Sequence, residues 1–258
     1  MEESKKLNKL YIIHFSPTGS SRKAAEQIAE AFDRKSEHYD LCKSMDDALQ
    51  IDHTDICLFS APCYGGRIPQ TAADRLSHIR GKKSPAIVCV TFGNRAFEDA
   101  LLELSDIVEA NGFQVIAGCA VGTEHNIMPV FGQGRPDALD TEEIRVFSKA
   151  VAQKLTAGRR NTPAFPGHRP YKERHAASMP IWVDEKNCIG CGLCARKCPV
   201  HAISADGWQT DAGACINCMR CIKICPGKSR RVPDEFVSAL VQRVGAACKG
   251  RKPNAFYL

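Results

Sequence analysis

Eight of the fourteen cysteines fall between Cys188 and Cys225, in two runs of one pattern. CIGCGLCARKCP (188–199) and CINCMRCIKICP (215–226) both read C-x2-C-x2-C-x3-C-P. Thiolates are soft ligands suited to iron–sulfur clusters or zinc. Three cysteines at this spacing wrap three corners of one cubane, and the fourth cysteine of each run ligates the other cluster. The expected ligand sets are therefore Cys188, Cys191, Cys194 with Cys225, and Cys215, Cys218, Cys221 with Cys198. Pro199 and Pro226 end the runs and direct the fourth cysteine across. Zinc sites instead pair two C-x2-C hooks over a longer gap, often with histidine. Two 4Fe-4S clusters are the expected metal cofactors. Of the other cysteines, Cys57, Cys89 and Cys119 lie in apolar runs and read as buried small hydrophobes.

A second chemistry sits near the other end, in FSPTGSSRKAAEQIA (15–29), directly after the apolar Leu10-Tyr11-Ile12-Ile13. Strand, hydroxyl-rich glycine turn and helix present backbone N–H groups to an anion. The triphosphate signature G-x-x-x-x-G-K-[ST] is absent, because no glycine stands five residues before Gly19. The hydroxyls of Ser16, Thr18, Ser20 and Ser21 around Gly19 suit a single terminal phosphate instead.

These groups have to be positioned by the elements between them. Up to about residue 156 short apolar runs alternate with amphipathic ones. Strands are predicted at 10–15, 38–42, 55–61, 86–92 and 114–121, and helices near 21–34, 70–79, 96–111 and 140–156. In the first helix Ala24, Ala25, Ile28, Ala29 and Phe32 recur at helical spacing. Apolar strands separated by helices imply a parallel sheet covered on both faces, a doubly wound α/β fold. Residues 157–180 contain four prolines and no clear period, and read as a linker or arm. Between the cysteine runs, AISADGWQTD reads as strand, Asp-Gly turn and return strand. PDEFVSALVQRVGAACKG (233–250) reads as a helix with Phe236, Leu240 and Val244 on one face.

The segment from about Ile181 to Gly227 closely resembles a bacterial ferredoxin with two four-iron clusters, which implies one-electron transfer at low potential. The S-P-T-G-S-S turn resembles the phosphate loop of flavodoxins, usually [ST]-x-T-G-x-[ST], which implies FMN. Together they resemble the flavodoxin–ferredoxin fusion family of anaerobic bacteria and archaea, over about residues 8 to 227. The resemblance implies a flavodoxin-like doubly wound five-stranded parallel sheet (1–156) and a small α+β bacterial-type ferredoxin module (181–227), while the residues themselves give a linker (157–180) between them and a C-terminal helix with a basic tail (228–258). In a flavodoxin-like fold the loops APCYGGRIP (61–69) and TFGNRAFEDAL (91–101) lie beside the phosphate loop at the carboxyl edge of the sheet. They supply Ala61, Pro62, Cys63, Tyr64, Gly65, Phe92, Gly93, Asn94 and Arg95 as candidate ring-binding residues. Tyr64 is the first candidate for stacking on the isoalloxazine and Phe92 the second. Cys63 reads as packing beside the flavin, and His125 as an ordinary loop histidine near the cofactor edge. The first ring loop lacks the tryptophan often found there, since Trp182 and Trp208 both belong to the cysteine module.

Charge is unevenly spread. Residues 1–156 carry 18 basic against 22 acidic side chains, 157–180 carry 5 against 1, and 228–258 carry 7 against 2. A basic end fits nucleic acid in principle, yet two four-thiolate clusters at roughly −2 each offset most of the excess. The basic segments are expected to dock on the acidic module and hold the clusters near Tyr64 and Asn94. No apolar run is long enough to span a bilayer, and MEESKKLNKL has no apolar signal core. The expectation is a cytoplasmic electron-transfer flavoprotein, monomeric or homodimeric, with a redox protein partner and with neither nucleic acid nor membrane. The alternative is an FMN-dependent iron–sulfur reductase acting on a small molecule bound over the flavin.

Overall fold

The computed structural model describes residues 8–44, 48–174 and 179–258. Its first part runs β1 (Leu10–His14), α1 (Ser20–Ala29), β2 (Ser36–Asp40), β3 (Leu49–Ile51), β4 (Ile56–Pro62) and α2 (Gln70–Leu76). It continues with β5 (Ile79–Gly81), β6 (Pro85–Phe92), α3 (Ala100–Ala110), β7 (Gln114–Gly122) and α4 (Ala138–Thr156). The remainder holds β8 (Trp182–Val183), α5 (Leu193–Arg196), α6 (Arg220–Lys223), β9 (Arg230–Arg231), α7 (Asp234–Cys248) and β10 (Ala255–Tyr257).

Strands β2, β1, β4, β6 and β7 lie side by side in that order and all pair in parallel. Among the five long parallel strands this is the order 2-1-3-4-5 of the flavodoxin-like doubly wound sheet. Alternation along β1 explains the two faces. Tyr11 and Ile13 join Phe59, Val88, Val90, Leu101 and Leu104 in the core under α2 and α3. Leu10 and Ile12 join Leu58, Ile87, Ala24, Ile28, Ile144 and Phe147 under α1 and α4. Side chains alternate across a strand, so a sheet apolar at every position has to be covered twice.

The five-stranded expectation needs one correction. A sixth strand, β10, comes from the basic tail and pairs antiparallel with β7, through Ala255–Ala120, Phe256–Cys119 and Tyr257–Gly118. A three-residue strand is too short for a period-2 signal, and only its ready-made edge partner makes it one. Its rings then find cover, Phe256 at 5.0 Å from Phe147 and Tyr257 at 5.6 Å from Phe165.

The described part of the linker lies along α3. Arg169 Nε donates to Asp106 at 2.8 Å, Lys172 Nζ to Glu98 at 2.7 Å, and the His168 and Lys172 amides to Asp99. Arg174 and Arg67 share the buried Glu103 carboxylate, and Tyr171 stacks on the Arg67 guanidinium at 4.6 Å. Helix α7 touches both the cysteine runs and the loops of the first sheet. Phe236, Val237 and Leu240 pack on Met179, Met219 and Val232 beside the cysteine runs. Further along, Gly245 faces Phe131, and the Cys248 carbonyl accepts from Asn94 Nδ2 at 2.7 Å. Val244 is half-buried and stands outside that apolar cluster. Among the described residues no helix is long and apolar enough to cross a membrane.

Candidate cofactor sites

The loop after β1 turns sharply at Gly19, whose φ of 97° lies in the left-handed region that a side chain rarely adopts. The turn starts α1, where backbone donors are left over. Ser16 Oγ accepts the Arg22 amide at 2.9 Å, and the Lys23 amide reaches the Gly19 carbonyl. Among the described residues the amides of Ser20 and Ser21 have no protein acceptor, so they remain for an anion. Ser21 also ties the loop to the sheet, its Oγ 2.7 Å from Thr91 Oγ1 at the end of β6.

A solvent-open cavity of about 350 Å³ begins at this loop. It is lined by Ser16, Thr18, Ser20, Ser21, Pro62, Cys63, Tyr64 and Gly93 from the segments the sequence singled out. Pro17, Thr91, Thr123, Glu124 and Asn126 complete it. Thr91 and Thr123 carried a readable signal, for Thr91 is the penultimate residue of the apolar β6 and Thr123 directly follows the apolar β7, both at the carboxyl edge of the sheet. The donor set suits a flavin mononucleotide, with hydroxyls and free amides for a phosphate and Tyr64 in the same lining.

Other nominated residues are placed elsewhere. Phe92 is buried in the core and packs on Phe97 at 5.6 Å, because its alternation in β6 points it under the sheet. Ala61 is likewise core. Asn94 sits at φ 58° with its amide bound to the Phe92 carbonyl. Its side chain donates to the Cys248 and Gly250 carbonyls and accepts from Lys252 and Arg135, so it clamps the C-terminal tail. Arg95 pairs with Glu98, and Gly65 is exposed beyond the cavity rim. Burial pushes the Cys63 thiol up to about 12, and its Sγ faces the Ala96 and Phe97 carbonyls. His125 Nδ1 accepts the Ile127 and Met128 amides, and burial lowers its pKa to about 4. It is a neutral loop residue.

The cysteine runs form two further cavities. One, of about 380 Å³, is lined by Cys188, Cys191, Cys194 and Cys225. The other, of about 330 Å³, is lined by Cys198, Cys215, Cys218 and Cys221. The repeat is visible in the backbone. Gly190 and Asn217 have φ of 65° and 54°, Gly192 and Met219 63° and 61°, and His201 and Lys228 53° and 50°. Left-handed residues at matched positions in and just after each run give the two runs the same turns. A bulky side chain there costs roughly 1–2 kcal/mol, and the buried Met219 offsets it by packing against Val232. Among the described residues no group of three His, Cys, Asp or Glu converges to hold a single metal ion. An arginine stands at each cavity, Arg230 at the first and Arg220 at the second, and both have a buried Nε with no partner among the described residues. Four thiols with an unpaired cation fit an anionic cluster. Gly207 is needed too, for a Cβ there would lie 3.2 Å from Cys194 Sγ.

The second cysteine cavity and the hydroxyl-lined one are neighbours. Burial raises the Tyr64 phenol well above its ordinary range, and the nearby Cys218 and Cys42 thiols add to the effect. Arg75 of α2 donates to the Pro199 carbonyl at 2.6 Å, and Ile216 packs against the core under α3.

Residues 181–204 and 212–232 each match a family model described as a 4Fe-4S binding domain. An uncharacterized protein in the rpl9-rpl11 intergenic region of Porphyra purpurea is 40% identical over 55 residues, 18% of this chain and 72% of that protein. Uncharacterized protein MJ0749 of Methanocaldococcus jannaschii is 40% identical over 43 residues, so the chain spans only 17% of that relative and the match 17% of this chain. Among solved structures, rubredoxin oxygen:oxidoreductase from Desulfovibrio gigas aligns with 60% of this chain and 37% of its own, at TM-score 0.44 and 20% identity. Flavodoxin 2 from Bacillus cereus aligns with 57% of this chain and 99% of its own, at TM-score 0.44 and 17% identity. The chain thus places a parallel sheet of the flavodoxin-like order 2-1-3-4-5 ahead of two segments that match 4Fe-4S binding domains.

Proposed function

We propose that this protein is an internally wired electron carrier, with FMN in the cavity after β1 and a 4Fe-4S cluster in each cysteine cavity. The 2.6 Å bond from Arg75 of α2 to the Pro199 carbonyl carries the reading, since Pro199 lines the second cysteine cavity and the bond holds that cavity against the first module. The nearer cluster has ligands Cys198, Cys215, Cys218 and Cys221, and the farther one Cys188, Cys191, Cys194 and Cys225. FMN, when bound, exchanges electrons in pairs or singly, and each cluster exchanges them singly. The chain's own residues do the remaining work. The amides of Ser20 and Ser21 with the Thr18 hydroxyl hold the phosphate, Tyr64 covers the ring, and the Arg75–Pro199 bond fixes the second cavity beside it. An acceptor or donor protein completes the route at the farther cluster, where Cys191 and Ile189 are exposed.

Anaerobically reconstituted protein is expected to hold close to eight irons and eight acid-labile sulfides per chain. Cys198→Ser is expected to damage the cluster of Cys215, Cys218 and Cys221 and spare the other, as read by EPR. Transfer between flavin and clusters is expected to proceed at a rate independent of protein concentration. Folded protein with zinc and no sulfide, or a rate that falls in proportion to dilution, would sink the reading.

A further inference from the structure

Arg230 begins β9 and is 2% exposed, an unusual place for a guanidinium. Its Nη1 donates to the Gly207 carbonyl and lies 4.0 Å from Cys194 Sγ, in the first cysteine run. Its Nη2 donates to Thr210 Oγ1, and its Nε has no partner among the described residues. Thr210 lines the cavity of the second run, so the guanidinium stands at that cavity as well, and its charge acts on the Cys221 and Cys215 thiols. Among the described residues no carboxylate forms an ion pair with it. A buried cation without a counter-charge is strongly disfavoured, so an anion belongs at that point. Both cysteine cavities adjoin it.

We propose that Arg230 is the shared counter-charge of the two clusters, raising both reduction potentials and easing entry of the second electron after the first. The inference rests on the reading that each cavity holds a 4Fe-4S cluster. Each reduction takes one electron from a dithionite titrant, breaks no bond, moves no proton, and adds one negative charge to a four-thiolate set. Arg230 stands at both cavities, so its positive charge opposes that build-up at either one. Arg220 offers an internal comparison. It lines the cavity of Cys198, Cys215, Cys218 and Cys221, and is absent from the lining of the Cys188, Cys191, Cys194 and Cys225 cavity among the described residues.

An anaerobic redox titration of the full chain, with both clusters followed by EPR, tests the proposal. Arg230→Gln is expected to lower the reduction equilibrium constant of both clusters at least tenfold, a midpoint shift of about 59 mV for one electron. Arg230→Lys, which keeps the charge, is expected to restore most of both shifts. Arg220→Gln is expected to move only the cluster bound by Cys215, Cys218 and Cys221. Arg230→Gln protein with eight irons and one or no shifted midpoint would overturn the proposal, because a merely structural arginine leaves potentials alone. If that variant does not hold both clusters, Thr210→Val decides. It frees Nη2 while keeping the arginine, and is expected to shift both midpoints the same way by less; no shift there would also overturn it. Wild-type protein that takes up no iron or sulfide overturns the cluster reading itself, and this inference with it.

Discussion

Thr18→Asp is expected to weaken FMN binding at least a thousandfold while iron and sulfide content stay at the wild-type level. Thr18 lines the hydroxyl-rich end of the cavity beside the free amides of α1. A carboxylate there shares one nest with the phosphate dianion. At about 4 Å and an effective dielectric near 20, each unit-charge repulsion is of order 4 kcal/mol. That corresponds to roughly a thousandfold weaker binding. Thr18→Ala removes only one hydrogen bond to a charged group, worth about 1.5–3 kcal/mol. Flavin fluorescence titration separates the two variants. Equal affinity in both would remove the phosphate from this loop.

The second large effect concerns Asp140, which is fully buried in the first turn of α4. Its carboxylate accepts Arg135 Nε at 3.0 Å and Nη2 at 2.7 Å, Arg251 Nη2 at 2.7 Å and Asn254 Nδ2 at 2.9 Å. Arg251 and Asn254 belong to the tail, so this one side chain ties β10 to the sheet. Asp140→Ala leaves the buried Arg135 without its charge partner, and is expected to cost about 3–5 kcal/mol. Burial alone would raise the Asp140 pKa, but the hydrogen bonds from Arg135, the Asp137 amide and Asn254 outweigh it and hold it below 3.8. Its contribution to stability is therefore present above about 3.8 and is lost as pH falls through the lower folded value. Denaturant unfolding between pH 7 and pH 3 is expected to show a shallower loss in the variant than in the wild type. Hydrogen exchange at Phe256 is expected to accelerate, because β10 loses its anchor. A change under about 1 kcal/mol with the Phe256 amide still protected would contradict this account.

Both predictions draw on residues of very different legibility. Thr18 could be nominated from the sequence because an anion turn is local: one turn, one helix start and a handful of consecutive residues contain all of it, and the structure places Thr18 in the cavity wall. The same holds for the cysteine runs, whose repeated spacing reappears as matched left-handed backbone at Gly190 and Asn217 and at Gly192 and Met219. Asp140 carried only the signature of a helix start, with Asp137 as N-cap. Its partners Arg251 and Asn254 lie more than a hundred residues away.

The misplaced candidates follow the same division. Proximity in sequence put Phe92 and Asn94 in the ring loop, whereas strand alternation took Phe92 into the core and a distant tail claimed Asn94. Conversely Thr123, Glu124 and Asn126 reach the cavity because β7 ends beside β6. The sequence by itself determined what is periodic or local: the alternating strands and helices, the anion turn after β1, and the doubled cysteine pattern. Tertiary structure alone decided what depends on two remote segments meeting. It made β10 a strand by offering the free edge of β7, tied α2 to the second cysteine run through Arg75 and Pro199, and buried Arg230 at the first cysteine cavity. The physical reason is that hydrophobic periodicity and turn chemistry act over a few residues, while an ion pair or an edge strand needs a partner whose position only the finished packing provides.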